Sequence, residues 1–170
     1  MSVIDDVLAA NNEFARSFRL RDVPREPARH LAILTCIDAR IDVHAILGLG
    51  PGDAHVLRNA GAIVTEDALR SLIVSHHLLG TREIMVIGHT DCGLATVTED
   101  ELTAGLVRKT GHLAATPERF HAFRNVEQCV CEQVAKLHSH PWLGREIITR
   151  GFVYNVATGR LNEVSGALEG

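Results

Sequence analysis

The sequence has no apolar run approaching the roughly 18 residues that a membrane-crossing helix needs. No segment is therefore expected to enter a bilayer. It also lacks a basic cluster: seventeen Lys and Arg stand against twenty-one Asp and Glu, leaving a net charge of −4. That balance does not provide the electrostatic footprint of a nucleic-acid binder. At the amino end, Asp5 and Asp6 occupy the region where a secretory signal carries positive charge, and no apolar stretch follows. The expected location is cytoplasmic. Internal repeats and low-complexity tracts are missing as well. Cysteine is sparse, at four residues, and a chain of this length builds a core without staples. The thiols are accordingly expected to be free or to ligate a metal, not to pair as disulfides.

What is present is an ordinary globular composition, 46% hydrophobic and 22% charged, over 170 residues. That length suits one domain. Val3, Val7, Ala10, Phe14 and Phe18 recur at three- and four-residue steps, the stripe of an amphipathic helix. A polar linker with Pro24 and Pro27 ends it. Leu31 to Leu34, Ala54 to Leu57, Ile84 to Ile87 and Gly151 to Val156 are short continuous apolar runs of the kind buried on both faces of a sheet. A helix is expected after Thr65, with Glu66 and Asp67 in its first turn and Gly80 at its end. Another is expected from Thr116-Pro117-Glu118 onward, carrying Phe120, Phe123, Val130, Val134 and Leu137 on one face. Strands alternating with helices predict a single α/β domain over residues 1–170, with a mostly parallel central sheet flanked by helices.

The chemistry gathers where the strands end. Cys36 follows the first run in Thr35-Cys36-Ile37-Asp38-Ala39-Arg40, and His89 and Cys92 follow the third in Gly88-His89-Thr90-Asp91-Cys92-Gly93. Ligands of open α/β sheets sit beyond the carboxyl ends of the strands. If the two strands are neighbours, two thiolates and an imidazole meet at one point. That set suits zinc, and three protein ligands leave a fourth position free, as in catalytic sites. A His-x-x-Cys pair by itself is equally an ordinary strand-to-helix turn, and Cys36 by itself a small buried hydrophobe. Cys129 and Cys131 lie two apart on an expected helix, about 200° around its axis, and cannot share a metal. His76, His77, His138 and His140 stand beside helix ends, where a cation is favourable without further role. Asp38 and Arg40 read either as a turn salt bridge or as a carboxylate fixed by a guanidinium beside a metal. Arg58-Asn59-Ala60-Gly61 reads as a polar turn closing on glycine.

Taken in order, Cys36-x-Asp38-x-Arg40, Arg58-Asn59-Ala60-Gly61 and His89-x-x-Cys92-Gly93 resemble the signature of the β-class carbonic anhydrases. The segment from Gly151 to Gly159 is similar to that family's last core strand. The likeness spans roughly residues 28 to 165, and Thr90-Asp91 before Cys92 is the form typical of a compact branch. The resemblance implies one Zn2+ per chain held by Cys36, His89 and Cys92, with Asp38 accepting a hydrogen bond from zinc-bound hydroxide. It implies that Arg40 keeps Asp38 off the metal, and that in closed members this aspartate becomes the fourth ligand. The implied activity is reversible hydration of carbon dioxide to bicarbonate and a proton. Carbonyl sulfide and carbon disulfide hydrolases share the same motifs and form the alternative. A non-enzymatic zinc-containing regulatory module is a second alternative, against which the intact Asp38 and Arg40 speak. The amino-terminal stripe ending in Phe14 and Phe18 ahead of the proline-bearing linker is expected to pack residues 1–20 on a partner subunit, and the resemblance agrees in implying a homodimer or larger homo-oligomer. The aromatic and glutamine side chains that shape the pocket in plant-type members have no obvious counterparts.

Overall fold

A computed structural model describes residues 2–144 and 146–164. Five strands form its sheet: β1 (Leu31–Cys36), β2 (Ala54–Asn59), β3 (Glu83–His89), β4 (Ile148–Tyr154) and β5 (Leu161–Val164). Their order is β2-β1-β3-β4-β5, the first four parallel and β5 antiparallel to β4. The four apolar runs thus lie within or overlap the four parallel strands. β5 is an unforeseen fifth, too short and polar at Asn162 and Glu163 to signal itself.

Among the described residues five α-helices accompany the sheet: α1 (Val3–Arg16), α2 (Val43–Leu47), α3 (Glu66–His77), α4 (Glu99–Thr110) and α5 (Val126–His138). Because side chains alternate along a strand, β1 feeds two cores. Ala32 and Leu34 pack with Ala68 and Leu72 of α3 and with Val130 and Leu137 of α5. Ile33 points the other way, into a second cluster with Ile41, Val43, Ile87, Cys36 and Cys92. Helix α5 lies hard against β3 and β4, which is why both strands carry glycine there. A Cβ on Gly88 would come within 2.7 Å of Val130, and one on Gly151 within 2.6 Å of the same side chain.

Three helices depart from expectation: α2 and α4 are additional to those expected, and α5 starts late. The element expected from Thr116 starts only at Val126, where the Asn125 side chain accepts from the Gln128 amide and caps it. Upstream, the Glu99 carboxylate takes the amides of Phe120 and Ala122, at 2.9 and 2.7 Å, and His121 adopts φ +60°. Those donors are thereby withdrawn from any helix, and Phe123 joins the second cluster instead of the face holding Val130 and Leu137. Helix α4, unforeseen from the sequence, opens on a capping box in which Thr98 and Glu101 satisfy each other's backbone amides. It buries no residue, so it has no apolar stripe by which periodicity could find it. Helix α1 likewise buries nothing: Val3, Ile4, Val7 and Phe14 are each more than half exposed. Among the described residues no helix is long and apolar enough to cross a membrane.

Candidate metal centre

Strand β1 pairs directly with β3, and their carboxyl ends deliver Cys36 and His89 side by side. The turn after β3 then returns Cys92 to the same point. One ligand atom from each of the three lies within 4.8 Å of the others, and all three residues are buried. The junction is fixed from several directions. Thr35 Oγ1 donates to the Ile87 carbonyl at 2.9 Å, locking the two strand ends together. Thr90 ties the ligand-bearing turn to the end of β4: its amide donates to the Tyr154 carbonyl at 2.9 Å, and its hydroxyl accepts from the Val156 amide at 3.1 Å.

The donor set fits a zinc ion on two independent observations. His89 Nδ1 donates to the Thr90 carbonyl at 2.9 Å, which fixes the tautomer and leaves the lone pair on Nε2. That Nε2 is buried and has no hydrogen-bond partner within the protein. A buried imidazole nitrogen without a partner is costly unless something else fills its lone pair. The thiols supply the second observation. The Gly61 amide donates to Cys36 Sγ at 3.4 Å. Cys36 is held far below the usual thiol range, chiefly by its hydrogen bond with Cys92 and in part by His89 and the Gly61 amide. Cys92 is driven above its ordinary value in exchange, first by that shared hydrogen bond and then by burial. His89 is raised, chiefly by its interaction with Cys36. The pair of thiols thus favours one thiolate, on Cys36, to which the Gly61 amide already donates.

Asp38 and Arg40 lie on the loop leaving β1 and grip each other. Arg40 Nε donates to Asp38 Oδ1 at 2.9 Å and Nη2 to Oδ2 at 2.8 Å, while the Arg40 amide adds a second bond to Oδ1 at 2.9 Å. These bonds hold the Asp38 carboxyl well below the usual carboxylate range. Asp38 Oδ2 stands 3.9 Å from His89 Nδ1, so the carboxylate borders the cluster. Cys129 is buried on α5 and Cys131 half-buried there, both free thiols and neither in a metal-ligating group.

Two residues of the Arg58-Asn59-Ala60-Gly61 motif, read from the sequence only as a polar turn, complete the arrangement. The guanidinium of Arg58 donates to three backbone carbonyls of the β1 loop: Cys36 at 2.9 Å, Asp38 at 2.7 Å and Ile41 at 3.0 Å. Gly61 sits at φ +84°, where a Cβ would press on Leu94 and Phe123 at 3.0 and 3.2 Å. The tetrapeptide Arg58-Asn59-Ala60-Gly61 is therefore a support for the loop that carries Cys36 and Asp38, and its arginine, placed one register step from Cys36, was the available signal.

A family profile described as carbonic anhydrase matches residues 31–161. The chain is 42% identical to beta-carbonic anhydrase 1 of Mycobacterium tuberculosis, covering 97% of this chain and 99% of that one. It is 34% identical to a carbon disulfide hydrolase of Saccharolobus solfataricus, over 85% of this chain and 81% of the relative. Among solved structures, the carbonic anhydrase of Streptococcus mutans superposes with a TM-score of 0.91 at 42% identity, covering 97% of this chain and 99% of that one.

Proposed function

The chain belongs to the β-carbonic anhydrase family, and from that premise we propose that it catalyses reversible hydration of carbon dioxide at the Cys36, His89 and Cys92 cluster. Zinc is the metal that this family uses, and when bound it acts as a Lewis acid that makes water nucleophilic near neutral pH. The observation that carries the reading is the buried, unpartnered His89 Nε2 facing two buried thiols whose ligand atoms lie within 4.8 Å.

The protein's own groups supply orientation. Asp38 Oδ1 already accepts two hydrogen bonds from Arg40, whereas Oδ2 accepts one and keeps a lone pair free. Oδ2 is the oxygen with acceptor capacity to spare, so we assign it the hydrogen bond that fixes the attacking water. Because Arg40 keeps the carboxyl ionised across the working range, Asp38 remains an acceptor throughout. Arg40 also opposes the tendency of a carboxylate so placed to ligate the metal itself.

Assembly with a second copy of the chain is supported by α1. Its apolar stripe has no cover among the described residues, and Leu31, Val56 and Met85 on the second sheet face are only partly buried. Mutual burial of these surfaces in a homodimer answers both. Free cysteines throughout the described chain support a reducing, cytoplasmic location.

A second reading, hydrolysis of carbon disulfide or carbonyl sulfide, is favoured by the 34% identical hydrolase. Both substrates are linear and attacked at carbon, and an apolar pocket separates them by only about 1–3 kcal/mol per methylene-sized difference. Carbon dioxide is preferred because the relative with 42% identity spans nearly the whole chain. The test pairs zinc content with kcat/KM on each gas. One zinc per chain and a dominant rate with carbon dioxide are expected, with Asp38→Ala retaining zinc but losing activity. A dominant rate with a sulfur gas would reverse the substrate assignment, and wild-type rates in Asp38→Ala would remove Asp38 from the site.

A further inference from the structure

Asp91 lies between two of the cluster residues, one position before Cys92, and its side chain is 73% exposed. Its backbone is nonetheless held at φ +58°, in the left-handed region that aspartate and asparagine tolerate better than other side chains. The conformation has a visible consequence. Asp91 Oδ2 accepts from Arg40 Nη1 at 2.8 Å, and the Asp91 carbonyl accepts from Arg40 Nη2 at 3.1 Å. Arg40 spends its Nε edge on Asp38 and its opposite edge on Asp91. The guanidinium is thus suspended between the loop after β1 and the turn after β3, with a carboxylate on each side.

We propose that Asp91 is a positioning residue, which anchors the far edge of the Arg40 guanidinium so that its near edge holds Asp38 back from the metal. This rests on the reading of Asp38 and Arg40 given above. Arg40 sits on a long side chain, 46% exposed, with its own backbone on the same loop as Asp38. Pinned at only one edge, it would follow the Asp38 carboxylate toward a cation instead of restraining it. Asp91 belongs to the turn that carries His89 and Cys92, so it references the guanidinium to the ligands themselves. A carboxylate already borders the cluster in Asp38, and oxygen is an acceptable fourth ligand for zinc. What keeps it off is therefore a matter of where Arg40 is held. The carboxylate of Asp91 acts through a directed hydrogen bond rather than through charge alone, since its backbone carbonyl shares the task.

The experiment compares wild type, Asp91→Gly, Asp91→Asn and Arg40→Ala, each loaded with Co2+ for visible absorption and with zinc for the pH profile of kcat/KM. Glycine accepts the left-handed backbone and deletes the carboxylate, and asparagine keeps both the backbone preference and an acceptor oxygen. The spectrum reports whether a carboxylate is bound to the metal, and the pH of its midpoint reports the balance. Asp91→Gly is expected to favour carboxylate binding roughly tenfold, moving the spectral and kinetic midpoints up by about one pH unit. Asp91→Asn should stay near wild type. Arg40→Ala should move the midpoints at least as far as Asp91→Gly. An unmoved or lowered midpoint in Asp91→Gly, with Arg40→Ala shifted, would overturn the role of Asp91 alone. Asp91→Asn shifting as far as Asp91→Gly would overturn the hydrogen bond as its basis. No shift in Arg40→Ala would instead bring down the underlying reading of the Asp38 and Arg40 pair.

Discussion

Replacing Arg58 by alanine tests whether the metal-ligand loop is held from outside or holds itself. The side chain makes three hydrogen bonds to backbone carbonyls of Cys36, Asp38 and Ile41, spanning 2.7 to 3.0 Å. Bonds from a charged donor are worth about 1.5–3 kcal/mol each when fully buried. These are only partly buried and their carbonyls regain water on truncation, so about 1 kcal/mol apiece, or about 3 kcal/mol in all, is the reasoned loss. In a chain of this size each kcal/mol moves the midpoint by about 2–4 °C, so Tm should fall by about 6–12 °C. Thermal unfolding of the zinc-loaded protein measures this, and kcat/KM should fall with it because Cys36 and Asp38 ride on the loosened loop. Arg58→Lys keeps the charge but presents a compact ammonium in place of a planar fork, and should recover only part of the loss. A Tm for Arg58→Ala within about 2 °C of wild type would be under 1 kcal/mol. With zinc affinity also unchanged, that result would refute the clamp.

Three further outcomes are expected. His89→Ala should abolish stoichiometric zinc by metal analysis, since it removes the nitrogen that the cluster leaves unpartnered; a full zinc complement would exclude this ligand set. Gly151→Val should destabilise by about 1–3 kcal/mol in denaturant unfolding, because a Cβ there already meets Val130 at 2.6 Å and Val134 at 3.1 Å. An unchanged midpoint would mean that α5 can retreat from β4. Deleting residues 1–19 should lower solubility and shift the sedimentation profile toward smaller species; a well-behaved, fully active monomer would separate α1 from assembly.

Much of the fold was legible because its parallel strands are buried on both faces. Runs such as Leu31-Ala32-Ile33-Leu34 have to be continuous when each side of the sheet faces a core. The meeting of Cys36 with His89 and Cys92 was legible for a related reason: residues at the carboxyl ends of adjacent strands converge whatever lies between them. The rest was hidden where one side chain acts on a distant backbone. Nothing local to Phe120 or Ala122 reveals that Glu99, some twenty residues earlier, takes their amides and delays α5. Arg58 looked like turn polarity because its three acceptors are carbonyls, which carry no mark in a sequence. Asp91 stood out in the sequence only as a position of His89-x-x-Cys92 and a mark of the compact branch, because its contacts lie in a backbone angle and in Arg40, 51 positions away.

The pairing of β1 with β3 has a kinetic side. Cys36 and His89 are 53 residues apart (89 − 36), and the excursion between them contains β2 and α3. Closing so long a loop costs chain entropy that a local turn does not, and parallel pairing of this kind is among the slower events in folding. The three ligand atoms therefore come within reach of one another only after the two strands have docked. A cation captured at that stage arrives too late to nucleate anything. Where that docking completes after the barrier, the cation's binding energy falls on the native side, and the expected outcome is slower unfolding with refolding nearly untouched. The metal centre is in this sense a latch on the finished sheet, and the lifetime of the folded chain is what it governs.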